Sequence, residues 1–493
     1  MIGLENYSQG FAGDEMVGQQ ELSKAMQAGQ ITGRDTTGLS LTQEPLKVES
    51  LEAALKVLEF RTQDIKLFNA LPKKTAYNTV EEYLQLASYG AERGGFYDEG
   101  ELSDVEDSTY IRRAEHVKYM QVTGEVTLQA QMVRSYVDAM RQEVQNKMMW
   151  VLRLADRALT KGDSDVIAQE FNSIYKQHQS VGTTTGDLYA DNFSYYNSGT
   201  VLDLRGESIK QEHIEQAAVQ VDLNYGTATS FFGPTTMVST LSQDYFNRQR
   251  ILFGPGQTQG AVGQLGTVAT SIATTLGSVS LNSDKFMKAD PAKDSTSSAT
   301  SAFAPSAPSI GGVSAVADDP QSLYQGSDAG NVFYAVSALN KKGESTLTIH
   351  DTAVTIAAGT SVDIEVTPTA GANPTQGFVV YRTEVTNADD SAGLRFFPIF
   401  KVSAAHTAAG YDGASANTIR DRGMFLPNTD QGFVAQMDDE VLAYKQLAPI
   451  SKLDLAILAP SRRFIVFSFG TPVLFQPRKL VRIINAGKKL TQD

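Results

Sequence analysis

The residues from 131 to 161 carry an apolar repeat that constrains the fold more than any other part of the chain. Apolar side chains recur there at spacings of three and four residues, and the pattern ends before Gly162. Such a repeat predicts one amphipathic helix of about 30 residues and about 45 Å. A helix of this length is more typical of a structural spine than of a compact enzyme domain. The stripe consists of Val133, Val137, Met140, Val144, Met148, Val151, Ala155 and Leu159.

A glycine-rich, acidic stretch precedes this helix. Residues 72–79 have an extended pattern, and a regular alternation resumes at residues 117–129. We therefore predict a protruding two-stranded arm around a long acidic loop, because loops of this length are usually functional or make contacts elsewhere. The acidic cluster from Asp98 to Asp107 does not have the ligand spacing of an EF-hand, so a solvated or partner-facing loop is favoured over a calcium site.

The first 50 residues are polar, with seven acidic and three basic side chains. They predict an extended arm that is ordered only against another surface, such as a second subunit. Helical spacing begins within residues 49–68. Further along the chain, residues 208–223 and 235–246 predict helices, residues 228–232 predict a strand, and the glycines of residues 254–266 predict a loop.

The composition changes at residues 291–320, where 18 of the 30 residues are Pro, Ser or Ala. We interpret this stretch as a linker. Short strands without a helical pattern follow, which predicts a β-sandwich inserted into a helix-bearing fold. The strands are predicted at residues 332–338, 347–356, 361–367, 377–384 and 396–402. Strand-like segments return at residues 453–458, 464–469 and 480–484.

Charge and composition exclude several classes of protein. The chain has 42 Lys and Arg against 56 Asp and Glu, which gives a net charge of −14 and argues against a surface that grips nucleic acid phosphates. It contains no cysteine, so disulfides and thiolate chemistry are excluded. Residues 448–493 reverse the charge, with eight basic and two acidic residues. This basic end could pair with the acidic arm of another copy, or both could be solvated faces.

No combination of residues predicts catalysis, a cofactor or a metal. Walker A, Gly-x-Ser-x-Gly and His-Glu-x-x-His motifs are absent, and Ser173 with Lys176 matches Ser-x-x-Lys without its usual partner motifs. No histidine is three or four residues from another. A paired-carboxylate glycosidase stays open, because its two acids need no fixed spacing. No signal peptide or membrane-spanning run is recognised, so we expect no membrane contact.

Three segments resemble major capsid proteins of tailed bacteriophages, above all those of Twort-like myoviruses and their relatives. The segments are residues 69–80 (NALPKKTAYNTV), 225–229 (YGTAT) and 469–485 (FGTPVLFQPRKLVRIIN). The resemblance implies an α+β Hong Kong 97-type capsid fold. In that fold residues 1–50 would be the N-arm, 51–290 and 417–493 the capsid core with its peripheral and axial domains, 69–130 the E-loop and 131–161 the spine helix.

The sandwich would occupy residues 291–416 together with the linker. It resembles immunoglobulin-like or fibronectin type III modules through residues 334–345 and 377–382, although the order of these two motifs is reversed relative to fibronectin modules. The resemblance further implies a structural protein in the virion, assembled in the host bacterial cytoplasm. Its partners would be hexamers and pentamers of itself, scaffolding and portal proteins, possible decoration proteins, and enclosed double-stranded DNA without sequence-specific binding.

Two alternatives remain open. One is another phage assembly protein, such as a tail sheath or tube, which would form tubes. The other is a carbohydrate-active enzyme with a fibronectin-type module, which would form small particles and should carry a secretory signal and aromatic sugar platforms. The chain has a single tryptophan, Trp150.

Overall fold

The computed structural model describes residues 60–90, 96–101, 106–132, 138–180, 200–246, 270–388, 390–411, 414–456 and 460–488. The expected N-arm, residues 1–50, and the glycine loop, residues 254–266, lie outside the described residues. The helices are α1 (Leu67–Ala70), α2 (Leu128–Met132), α3 (Ala139–Lys161), α4 (Ile174–Ser180), α5 (Gln211–Leu223), α6 (Thr235–Phe246) and α7 (Ala404–Ala409).

Strands form the larger part of the described fold. Those before the sandwich are β1 (Lys73–Thr75), β2 (Val80–Ser88), β3 (Thr109–His116), β4 (Lys118–Thr127), β5 (Val201–Asp203), β6 (Ser230–Gly233), β7 (Ser271–Thr274) and β8 (Gly277–Ser283). Those within and after it are β9 (Ser309–Val316), β10 (Gly330–Val332), β11 (Tyr334–Asn340), β12 (Gly343–Glu344), β13 (Thr348–Ile349), β14 (Val354–Ile356), β15 (Ser361–Thr367), β16 (Gly377–Arg382), β17 (Phe397–Ser403), β18 (Thr418–Asp421), β19 (Thr429–Ala435), β20 (Leu442–Asp454), β21 (Ser461–Leu474) and β22 (Leu480–Gly487).

The long helix α3 packs on a sheet with the order β1-β20-β21-β4. Val151 and Phe464 are fully buried between helix and sheet, as the apolar repeat predicts. Gly124 lies opposite Phe464 in the β4–β21 register, and a Cβ atom on this glycine would lie 2.3 Å from the phenyl ring. The glycine therefore makes room for the largest side chain of this contact.

A second sheet has the order β5-β22-β19-β6-β8-β7. Helices α5 and α6 pack on one face through Ile214, Val221 and Leu241. The other face contributes Phe433 and Leu480 to a core that includes Leu159 of α3. The strands of this sheet come from both sides of residues 309–421 in the chain, so the segment between β8 and β19 is an insertion in the sheet's connectivity.

The inserted segment forms two packed sheets, β12-β11-β16-β17 and β18-β15-β9. Tyr334 and Val380 of the first sheet share a buried core with Ile364 and Ile419 of the second. This is a β-sandwich. Strand β15 has the bounds that the alternation predicts, residues 361–367, whereas β16 ends at Arg382, two residues before the end of the strand predicted at residues 377–384. The last strand, β18, lies beyond residue 416. The α+β fold class predicted from the sequence, with hairpin, long helix, helix-covered sheet and sandwich in this order, is confirmed.

Several sequence predictions differ from the structure. Within the strand predicted at residues 453–458, β20 ends at Asp454, and the strand predicted at residues 347–356 is divided into β13 and β14. A helix was predicted for residues 49–68, but its described part consists of a 3-10 turn at Thr62–Asp64 followed by the short helix α1. The Asp64 carboxylate accepts a hydrogen bond from the Arg61 N–H at 2.8 Å and closes the turn. The helix predicted from residue 131 is interrupted at Asp138, and α3 begins at Ala139. Part of the predicted linker is strand β9, which pairs with β15.

Candidate functional site: an apolar face on a protruding hairpin

A two-stranded hairpin is present, but its strands are β2 and β3 rather than the predicted flanks. The flanks predicted at residues 72–79 and 117–129 contain β1 and β4, which pair with β20 and β21 in the first sheet. Val80 pairs with His116 at the base of the antiparallel hairpin, and Leu86 pairs with Tyr110 near its tip. From Glu81 to Leu86 and from Tyr110 to His116 the side chains alternate between half-buried and exposed, because successive residues of a strand point to opposite faces. The hairpin thus has an inner face toward the body of the protein and an outer face toward solvent.

The inner face is fastened to the ends of β20 and β21. The Glu81 carboxylate lies 3.2 Å from the Lys445 ammonium. The Tyr83 hydroxyl donates to the Leu474 carbonyl at 3.3 Å, and the Gln85 amide donates to the Phe475 carbonyl at 2.5 Å. These contacts fix the orientation of the hairpin, and therefore also fix which of its faces is exposed.

Glu115 lies on the inner face close to the hairpin base. Burial raises the pKa of its carboxyl to about 7, although the Asn172 amide donates to it at 3.2 Å and favours the charged form. Asp165 raises this pKa further, while Lys118 and Arg113 lower it. The anchoring of the hairpin therefore includes a group that titrates near neutral pH.

The outer face carries an unusual concentration of exposed apolar surface. The side chains of Leu84 and Tyr110 are 72% and 66% exposed, and Leu86, the direct partner of Tyr110, is 40% exposed. Arg112 and Glu82 form an ion pair on the same face. A contiguous apolar face with a charged border indicates a surface that another protein covers. We call Leu84, Leu86 and Tyr110 the outer patch.

The loop beyond the hairpin continues this character. Tyr89 is 88% exposed, and the Phe96 side chain is fully exposed. The acidic residues described here, Asp98, Glu99, Glu101, Glu106 and Asp107, are all exposed, whereas Gly94, Gly95 and Asp104 lie outside the described residues. The sequence indicated an acidic loop but not the outer patch. The alternation Glu-Tyr-Leu-Gln-Leu at residues 82–86 indicates that Leu84 and Leu86 share one face of the strand. It does not indicate whether the body of the protein covers that face or the opposite one.

The basic C-terminal segment is partly neutralised within the chain. Arg463 pairs with Glu125 at 3.1 Å, Lys488 pairs with Asp430 at 3.5 Å, and Lys452 pairs with Asp454 at 2.7 Å. Each of these cations already has a carboxylate partner. Pairing of the whole segment with an acidic arm of another copy is therefore weaker than its sequence charge indicates.

The five histidines considered for metal binding lie in five different elements or loops of the structure. In the described part of the chain, no group of three or more His, Asp or Glu side chains is arranged to hold a metal ion. His178 is fully buried, and its Nε2 lies 3.1 Å from the Leu480 carbonyl; burial lowers the pKa of its imidazole to about 3. Lys176, of the Ser-x-x-Lys match, pairs with Asp165 at 2.9 Å. The described helices include none long and apolar enough to span a bilayer.

Among the described residues, a strand-rich α+β body with an anchored hairpin and an exposed apolar face is typical of proteins that bind other protein surfaces. Known relatives are consistent with this class. The chain is 21% identical over 477 residues to a major capsid protein of Staphylococcus phage S25-3, with 95% of both chains covered. It is 23% identical over 462 residues to a putative major capsid protein of Enterococcus phage phiEF24C, covering 91% of this chain and 93% of the relative. The resemblance to tailed-phage major capsid proteins predicted from the sequence is confirmed by these relatives.

Among solved structures, the capsid of the native GTA particle matches with a TM-score of 0.42 and 7% identity, covering 93% of this chain and 100% of that one. The capsid of cyanophage P-SCSP1u matches with a TM-score of 0.40 and 9% identity, covering 94% and 98%. No protein-family model matches the chain.

Proposed function

We propose that this chain is the major capsid protein of a tailed bacteriophage. It is a structural, non-enzymatic subunit with a Hong Kong 97-type fold that self-assembles into an icosahedral head shell. The observation that carries the proposal is the similarity to phage major capsid proteins over 95% of both chains. Similarity along the whole length supports a common role for the complete chain rather than for one shared module.

The outer patch supplies a physical reason for assembly. Burying a Leu or Tyr side chain of this kind contributes about 1.5–3 kcal/mol, and a shell repeats the contact at every subunit. Obligate interfaces usually bury more than about 2,000 Å² in total, and a projecting hairpin adds to this area without enlarging the domain. In this proposal the outer patch is covered by a second copy of the chain.

We extend the proposal to the N-terminal arm, to the inserted sandwich and to the partners of the shell. Residues 1–50 act as an arm between subunits, and residues 291–416 with β18 form an immunoglobulin-like insertion on the capsid core. Hexamers and pentamers enclose double-stranded DNA in the virion after assembly in the host cytoplasm, with scaffolding and portal proteins as partners. The net charge of −14 suits a container wall that does not adhere to DNA.

Electron microscopy of the purified full-length protein tests this function. We expect closed particles from the wild type, because a capsid subunit closes on itself. The substitutions Leu84→Glu and Tyr110→Glu place a charge in the outer patch, and we expect each to reduce particle yield by at least about tenfold, the effect of about 1.4 kcal/mol per contact.

Val385→Glu is the matched control, because Val385 is an apolar residue of the sandwich segment that is 49% exposed. We expect particles from this variant and a normal circular dichroism spectrum from all three variants. Tubes from the wild type would favour a tail protein, and small monodisperse particles would favour the enzyme alternative. Normal particles from Leu84→Glu and Tyr110→Glu would contradict the role of the outer patch.

A further inference from the structure

A cleft of about 700 Å³ lies between the capsid core and the β-sandwich. One wall comes from the end of α3, from α4 and from β22, and the other comes from β16, β17 and the segment before β17. Basic side chains outnumber acidic ones on its walls. The basic ones are Lys161, Lys176, Lys288, Lys293, Arg395, Lys401, Arg482 and Lys488, and the acidic ones are Asp163, Asp290, Asp294 and Asp430.

Arg482 stands at the bottom of this cleft in a position that normally holds an apolar residue. It stands between Leu480 and Ile484 at a spacing of two residues along β22; both of these are fully buried, and Arg482 itself is only 4% exposed. Its guanidinium lies 4.3 Å from the centre of the Tyr175 ring and 5.4 Å from that of Phe425. The aromatic faces stabilise the cation, but burial still lowers the pKa of Arg482 to about 10.

Two of the three guanidinium nitrogens of Arg482 have no hydrogen-bond partner. Nη2 donates to the Gln431 side-chain oxygen at 2.6 Å, whereas Nε and Nη1 are buried without a hydrogen-bond partner. The hydroxyl of the adjacent Tyr175 is also buried without one. A buried cation with unpaired donors costs several kcal/mol unless a counter-charge accompanies it.

The acidic residues of the cleft are engaged elsewhere. Asp163 pairs with Lys176 at 3.3 Å, Asp290 pairs with Lys161 at 2.7 Å, and Asp430 pairs with Lys488 at 3.5 Å. Asp294 accepts hydrogen bonds within its own turn from Thr296 and Ser297. No described carboxylate lies within ion-pair distance of Arg482.

We infer that the cleft at Arg482 is a binding site for a small oxyanion of the phosphate class. The planar guanidinium presents donors in the fork geometry that suits phosphate, and Tyr175 adds a hydroxyl donor beside it. The ligand supplies the counter-charge that the chain omits, and it bridges core and sandwich because both line the cleft. Nε and Nη1 are shielded from bulk water, so neighbouring side chains have to move before the anion reaches them. The site does not depend on the proposed capsid role.

Thermal unfolding of the purified full-length chain tests the site, with inorganic phosphate titrated against sodium chloride at constant ionic strength. We expect a saturable rise in the wild-type Tm, because a ligand that binds only the folded state stabilises it by mass action. Phosphate also stabilises proteins by exclusion from their surfaces, but that effect does not saturate at low concentration. Broadening of the phosphorus resonance of inorganic phosphate provides a direct readout of binding.

The variant Arg482→Met separates a ligand site from a purely structural arginine. Removing an unpaired buried charge should leave the Tm in phosphate-free buffer unchanged or raised, while the saturable response and the line broadening are lost. Arg462→Met removes an exposed arginine of the same basic segment and should keep both responses. The inference is overturned if the wild type does not respond, if Arg482→Met responds normally, or if only a DNA duplex and not inorganic phosphate binds through Arg482.

Discussion

Asp156 and Asp284 are two buried carboxyl groups that converge on the first turn of α1. The Asp156 Oδ1 atom accepts a hydrogen bond from the Phe68 N–H at 2.8 Å. Asp284 accepts from the Leu67 N–H at 2.9 Å and from the Lys66 N–H at 3.1 Å. Burial, followed by the neighbouring charge of Asp284, raises the pKa of Asp156 far above its usual range. The pair therefore retains a proton at pH values where an exposed Asp has lost it.

We predict that this proton makes the stability pH-dependent. Because the folded-state pKa of Asp156 is raised, the folded chain binds more protons than the unfolded chain, and its contribution to the free energy of unfolding is complete below about pH 4. It is lost as the pH rises through the folded pKa. Asp156→Asn has no proton to lose, so its free energy of unfolding should decline less between pH 5 and pH 8, by about 1 kcal/mol for each pKa unit of the shift, and its Tm should decline less accordingly.

The measurement is thermal unfolding of wild type and variant across this pH range. Asp98→Asn, in the exposed loop, is the matched control and should follow the wild-type curve. A variant curve parallel to the wild type would mean that Asp156 is ionised in the folded protein. This pair could not be predicted from the sequence, because Asp156 lies next to the apolar stripe of α3 and its partner comes from a distant loop.

Among the elements, α3 is where the sequence was most informative. Val151, Ala155 and Leu159 of the predicted stripe are fully buried. The helix start was missed because it depends on one side chain rather than on periodicity: Asp138 Oδ1 accepts hydrogen bonds from the N–H groups of Met140 at 2.9 Å and Arg141 at 3.3 Å. Strand β9 was missed for a related reason. Its small residues resemble a linker until β15, about 50 residues away, pairs with them.

The helix cap leads to a prediction at this scale. Asp138→Ala leaves two N–H groups of the first turn without their acceptor and should lower the free energy of unfolding by about 1 kcal/mol. Asp138→Ser keeps a capping oxygen and should lose less than half of that amount. Urea denaturation followed by circular dichroism measures both. Equal stability of the alanine variant and the wild type would show that the cap does not determine where α3 begins.

At the scale of the whole molecule, polar contacts seat the sandwich on the core. The Asn485 side chain of β22 accepts from the Leu426 N–H at 2.8 Å and donates to the Met424 carbonyl at 2.9 Å. Arg205 donates to the Gly423 carbonyl at 2.9 Å. These contacts link the second core sheet to the segment that leaves β18. They were not predictable from the sequence, since each joins residues far apart in the chain through a single side chain.

The sandwich itself depends on a charge network at its last strand. Asp421 of β18 accepts hydrogen bonds from Arg382 at 2.8 Å, from the Tyr324 hydroxyl at 2.8 Å and from the Tyr334 hydroxyl at 2.9 Å. Arg382 and Asp421 are almost fully buried. A boundary at residue 416 removes Asp421, the only carboxylate that pairs with Arg382 among the described residues. A boundary at residue 426 retains it, together with the Phe425 carbonyl that Arg382 Nη2 contacts at 3.1 Å.

We therefore predict that a fragment of residues 291–426 folds as an independent unit, whereas a fragment of residues 291–416 does not. Starting at residue 291 keeps the backbone bridge between Lys293 and Phe396. Within the longer fragment, Asp421→Ala should cost about 3–5 kcal/mol, because it leaves the Arg382 charge buried and unpaired. Asp363→Ala removes the more exposed ion pair with Arg420 and should cost about 1 kcal/mol or less. Chemical denaturation and NMR dispersion of the fragments measure these differences, and a well-folded 291–416 fragment would mean that β18 belongs to the core rather than to the sandwich.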